Sequence, residues 1–80
     1  MSHVGVLIKT KRKKLGLSQG FIGNKLNYHP QFVSDWERGR SHPPKKVFKK
    51  LMKALYINKW DFYNELVMDY EDSVKRYLGL

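Results

Sequence analysis

Cysteine is missing from all 80 residues, so neither a disulfide nor a thiolate metal site can staple the fold. Long apolar runs are missing too, and the N-terminus lacks the apolar core of a secretory signal. The expectation is a soluble, cytoplasmic protein with no membrane contact. Strict apolar–polar alternation, the mark of a half-buried strand, occurs nowhere. The three histidines lack metal-ligand spacing, and no nucleophile–base arrangement, paired catalytic carboxylates or phosphate-cradling glycine loop emerges. The chain is expected to bind no cofactor or metal and not to be an enzyme.

Acidic side chains are scarce, seven against sixteen Lys and Arg, for a net charge of +9. Their distribution is uneven. Residues 1–59 hold fourteen basic and two acidic side chains, a net of +12, whereas residues 60–80 hold two and five, a net of −3. A basic body with an acidic tail suits a polyanion-binding surface and a separate end with another task. Composition alone leaves DNA, RNA and an anionic membrane open as partners.

Helical signals run the length of the chain. Val4, Ile8 and Leu15 share a face of a first helix that Ser2 caps and Gly16 stops. Ser18 caps a second helix reaching Leu26, buried through Ile22 and Leu26. Gly23 costs roughly 1 kcal/mol inside a helix and implies close approach of another. Asn27 tolerates the left-handed turn that follows, and Pro30 opens a third helix ending at Gly39. Val33 and Trp36 face inward there, with Gln31, Ser34, Asp35 and Arg38 opposite. Pro44 starts a fourth helix with Val47, Phe48, Leu51, Met52 and Leu55 as its stripe, and Asn58 caps a fifth with Asp61 at the capping-box position. Leu66, Tyr70, Val74, Tyr77 and Leu78 form one more stripe near the C-terminus. The fold class is all-α, a compact bundle of five to six helices.

Residues 15–39, LGLSQGFIGNKLNYHPQFVSDWERG, resemble the helix-turn-helix of the lambdoid phage repressor and Cro family. Gln19 stands at the family's usual first position of helix two. Gly23 takes the small site between the helices, Asn27 the turn, and Glu37-Arg38-Gly39 the close. The likeness extends from about Val4 to Tyr63; a bulky Phe21 and Ile22, Gly20 and Pro30 depart from the pattern mildly. It implies a lambda-repressor-like DNA-binding domain over residues 1–65. Residues 66–80 lie beyond the likeness and are expected as a helical extension whose apolar stripe either docks on its own domain or, the preferred reading, pairs with a second chain.

What the resemblance implies for individual residues follows from groove chemistry. A helix-turn-helix lays its second helix in the major groove while the first crosses the phosphates. Gln31 can pair bidentately with adenine, Phe32 can meet a thymine methyl, and Ser34 can hydrogen-bond several bases. Asp35 either accepts from cytosine N4 or pairs with Arg38 three residues on; the sequence leaves both open. Ser18 and Gln19, at a helix start, together with His29, Arg38, Arg40, Ser41 and Lys45, form the expected phosphate set. Arg12 and Glu37 match a structural ion pair of the family. The implied protein is a sequence-specific regulator of transcription, a repressor or controller protein, binding a two-fold symmetric operator as a homodimer. Its implied setting is bacterial or phage-encoded and nucleoid-associated. Leu66, Tyr70, Val74, Tyr77 and Leu78 are the expected dimer interface. The competing readings are an antitoxin-type module whose main partner is a toxin, and a nucleic-acid binder without sequence preference.

Overall fold

The computed structural model describes residues 2–80; Met1, where the sequence reading opens its first domain, lies outside them. Five helices, and no strand among the described residues, make up the chain: α1 His3–Lys14, α2 Gln19–Leu26, α3 Pro30–Arg38, α4 Lys45–Leu55 and α5 Lys59–Leu78.

Local chemistry sets these boundaries. The Ser2 hydroxyl accepts from the Gly5 N–H at 2.9 Å, and the Ser18 hydroxyl accepts from Phe21 N–H at the same distance. Each satisfies one of the orphan donors of a first helical turn. Asn58 does likewise for Trp60 N–H at 2.7 Å. Asn27, at φ 60°, turns α2 toward α3. Pro44 precedes α4 as its cap rather than opening it, and contributes no side-chain hydrogen bond.

One core joins all five helices. Val4, Ile8, Ile22, Leu26, Val33, Trp36, Leu51 and Leu55 are buried in it, and Val47, Met52, Ile57 and Phe62 complete it. Leu15, which periodicity places inward, is 40% exposed because it has become the C-cap of α1. Gly5 marks the tightest approach at any glycine of the chain. A Cβ on it would drive into the backbone carbonyls of Trp36 and Glu37, so α1 lies directly against the end of α3.

The C-terminal stripe does not form a sixth helix. Residues 59–78 are one continuous helix, so the expected boundary between residues 65 and 66 falls inside α5. Phe62 is its one buried residue, in edge contact with Phe48 at 4.5 Å. Beyond it, α5 docks through its polar face. Asp69 accepts hydrogen bonds from the His3 N–H at 2.5 Å, the Val4 N–H at 3.1 Å and the Ser2 hydroxyl at 2.9 Å. His3 also meets Asp72 at 2.7 Å and Glu65 at 3.8 Å. A carboxylate thus caps the positive end of α1 from 65 residues away in sequence.

Burial, the largest single influence on Asp69, works to raise its pKa. The Val4 and His3 N–H groups, the Ser2 hydroxyl and the His3 ring outweigh it and hold the carboxyl below its ordinary value. A pKa depressed by folding stabilises the fold above the ordinary carboxylate value of about 3.9 and is lost as pH falls through the folded value. Asp69→Ala is expected to cost about 1–2 kcal/mol at pH 7. The deficit should shrink as acid protonates the parent carboxyl. Urea unfolding of both proteins at pH 7 and in the acid limb measures it; a deficit unchanged in acid would show that the carboxylate charge contributes nothing.

Candidate DNA interface

The bihelical unit of α2 and α3 depends on a close approach at Gly23. A Cβ there would sit 2.5 Å from the Tyr28 carbonyl oxygen and 3.3 Å from Pro30 N. What presses on Gly23 is the turn and the start of α3. Tyr28 N–H donates to the Gly23 carbonyl at 2.8 Å, closing the turn. The Tyr28 ring then meets Phe32 at 5.3 Å and Trp36 at 5.6 Å, both edge-on. Sequence reasoning passed over Tyr28; a large aromatic among turn residues was the available signal. His29 caps α3, its Nδ1 accepting from the Gln31 N–H at 3.1 Å.

The inward side of α3 is broader than its apolar residues suggest. Val33, Trp36, Ser34 and Glu37 are all buried. Ser34 was expected on the outward face as a base contact, and this is corrected: at 9% exposed it lies on the flank that α1 covers. There it lines a cleft of about 240 Å³ with Val6, Lys9 and Thr10 of α1.

Glu37 owes its burial to Arg12. Arg12 Nε donates to Glu37 Oε2 at 2.6 Å and Nη2 donates to Oε1 at 3.1 Å, a bidentate pairing. Arg12 Nη1 donates to the Leu17 carbonyl at 2.7 Å, and Gln19 Nε2 donates to Glu37 Oε1 at 3.0 Å. No buried side-chain nitrogen or oxygen among the described residues lacks a partner. Gln19, expected on phosphate, is half-buried with its amide nitrogen committed to this ion pair. Its position at the start of α2 put it within reach of the end of α3, a neighbour that no local pattern announces.

The outward face of α3 carries a smaller polar network. Gln31 Nε2 donates to Asp35 Oδ1 at 3.0 Å, and Arg40 Nη1 stands 3.9 Å from the same oxygen. Asp35 therefore engages Gln31 and Arg40, and Arg38 has no ion pair to it. Phe32 is half exposed beside them. Ser18, His29, Arg38, Arg40, Ser41 and Lys45 are all exposed, Ser18 and His29 while serving as caps. Leu66, Tyr70, Val74, Tyr77 and Leu78 line an open side of α5, with Tyr77 89% exposed. No cluster of metal-ligating residues occurs among the described residues. No described helix is long and apolar enough to cross a membrane.

Residues 8–58 match the model of a helix-turn-helix family. The chain is 36% identical over 53 residues to endothelial differentiation-related factor 1 of Homo sapiens, covering 66% of this chain and 36% of that protein. It is 39% identical over 56 residues to a putative multi-protein-binding factor 1 of Yarrowia lipolytica, covering 70% and 37%. To multiprotein-bridging factor 1 of Debaryomyces hansenii it is 33% identical over 55 residues, covering 69% and 37%. The matched segments thus span little more than a third of these relatives' lengths. The relatives are animal and fungal, and the bacterial or phage setting implied by the resemblance finds no support in them. No solved structure gives a significant match.

The ion pair yields an asymmetric expectation. Arg12→Met strands a buried carboxylate and should cost about 3–5 kcal/mol. Arg12→Met combined with Glu37→Leu removes both charges and should recover most of that loss. Denaturant unfolding of the single and double variants decides it; a double variant as unstable as the single one would mean that packing, not the stranded charge, sets the cost.

Proposed function

The chain belongs to the helix-turn-helix family of the phage-repressor and Cro type, and on that premise we propose that it is a non-enzymatic regulator that binds double-stranded DNA through α3. The observation that carries this reading is the division of α3 into two faces. Its inner side is locked by Val33, Trp36 and the Arg12–Glu37 pair, while Gln31, Phe32 and Asp35 stand outward beside Arg40.

In the major groove, Gln31 would be the principal base-reading side chain. Its bond to Asp35 uses one amide N–H and orients the group, leaving the second N–H and the carbonyl for adenine. Asp35 would shape this orientation while Arg40 offsets its charge against the phosphates. Ser18, His29, Arg38, Arg40, Ser41 and Lys45 would supply backbone contacts, and Gln19 would act mainly by holding Glu37. The finer reading is a homodimer on a two-fold symmetric operator, paired through the open stripe of α5 so that two recognition helices lie about 34 Å apart.

A second reading is favoured by the same open stripe. α5 leaves apolar side chains uncovered, and relatives of this chain carry names that speak of binding or bridging several proteins. In that reading α3 holds DNA while α5 holds another protein. Those names lend nothing to a toxin as that partner or to a repressor's role.

Selection of bound duplexes from a random pool separates the two. A symmetric consensus supports the dimer, and a single half-site supports the bridge. Gln31→Ala should cost about 1–3 kcal/mol on the selected site and much less on random duplex. Equal losses on both would remove Gln31 from the reading surface.

The stripe itself has a direct test. Val74→Asp with Leu78→Asp is expected to leave a folded monomer, because both side chains are exposed, with weakened affinity for a symmetric site. Sedimentation reports the mass and circular dichroism the fold. A double variant that remains dimeric would place the interface elsewhere.

A further inference from the structure

A second uncovered apolar surface lies where α4 meets α5, and it shares no residue with α2 or α3. Half-buried Phe48 walls a groove of about 440 Å³ whose floor is the outer edge of the core residues Met52 and Ile57. Lys49, Lys53 and Lys59 stand around it, and no acidic side chain lines it. Tyr56 forms its lip.

Tyr56 is the anomaly of the fold. It caps α4 with φ 54° and ψ 38°, a left-handed conformation that a bulky side chain adopts at a cost and that glycine or asparagine adopts readily. Asn27 fills the same role at the end of α2. Yet the Tyr56 ring is 80% exposed, so packing within the chain does not repay the strain. Strain kept without an internal return points to an external one. Trp60, 62% exposed, extends the surface, with Lys59 Nζ 5.7 Å over its ring and Tyr63 6.0 Å beyond.

We propose that this groove docks an acidic amphipathic helix of a partner protein, its apolar side chains entering between Phe48, Met52 and Ile57 and its carboxylates meeting Lys49, Lys53 and Lys59. Charge decides the occupant. A second copy pairing groove to groove would bring three more lysines against these three, and the exposed residues 71–80 of its α5 balance Glu71 and Asp72 with Lys75 and Arg76, so they bring no net negative charge. A single nucleic-acid strand would find lysines for its phosphates and aromatic rings to stack on, but Met52 and Ile57 offer its bases no hydrogen-bond partner, and competition by oligo(dT) tests it directly. Helix-in-groove recognition, with apolar anchors at i, i+3, i+4 and i+7, matches both the walls and the rim. The proposal is independent of DNA reading by α3 and names a partner chemistry for the bridging alternative.

The test uses the full chain and a synthetic 15-residue peptide with leucine at i, i+3, i+4 and i+7 and glutamate elsewhere. Binding should shift the tryptophan emission saturably, Trp60 being exposed beside the groove and Trp36 buried away from it, weaken with salt, and fail for the same peptide with lysine in place of glutamate. Lys49→Glu together with Lys53→Glu should weaken it about tenfold or more. Tyr56→Asn should raise Tm by about 4 °C while weakening the peptide, separating loss of the lip from loss of the fold. Gln31→Ala should leave the peptide's affinity unchanged, so failure here and failure of the DNA reading are distinguishable. Peptide affinity indifferent to the lysine reversal would overturn the proposal. So would displacement of the peptide by oligo(dT) or by anionic vesicles.

Discussion

The bond between Arg12 and Glu37 is the constraint on which the rest of the molecule depends. A carboxylate taken from water is costly, and only a partner that matches it in both charge and geometry makes the burial tolerable. Arg12 supplies that match, and its remaining nitrogen holds the Leu17 carbonyl between α1 and α2. Gln19 adds a donor from the start of α2. Three helices thus converge on two oxygens at the end of α3. The rotation of α3 about its own axis is thereby decided, and with it which side chains face outward. Gly5 allows the convergence, because α1 can reach the end of α3 only where a side chain is absent.

Charge segregation along the sequence acquires a structural meaning at the other end of α1. The basic body and acidic tail could suggest two surfaces kept apart. Instead the acidic face of α5 folds back onto the first turn of α1, where unpaired N–H groups need acceptors. Asp69, Asp72 and Glu65 gather around His3 and the helix start. The apolar side of α5 is left open as a result. One helix therefore performs an intramolecular task with its charged residues and keeps its greasy ones in reserve.

How much of this was legible in the sequence depends on the reach of each interaction. Ser2, Ser18, Asn27, Pro30 and Gly39 act on neighbours within a few residues, so their roles as caps and turns could be read directly. The buried places of Ile8, Ile22, Val33, Trp36 and Leu51 followed from helical spacing. The Arg12–Glu37 pair was legible only through the family pattern, since nothing local links residues 25 apart. The burial of Ser34 and the bond from Gln19 to Glu37 escaped sequence reading for one shared reason: each touches a helix whose crossing no periodicity encodes. Asp69 sits among polar neighbours on a helix, and its partners lie at the opposite end of the chain. Tyr56 illustrates the reverse case, a residue whose type argues against the conformation it holds.

The asymmetric anchoring of α5 bears on how the protein opens. Phe62 and Asp69 hold its first half, whereas residues 71–80 are all exposed and attach to the body chiefly through the His3–Asp72 contact. A free helical segment of such length is marginal in water, because nucleation costs more than a few turns return. Its helicity is therefore borrowed from the anchored half. Amide protons should exchange in a gradient, fastest beyond Val74 and slowest near Phe62, with the last turns fraying as a local unit well below the energy of global unfolding. Covering this surface would also have to order its last turns, so part of any contact's free energy would be spent on completing the helix.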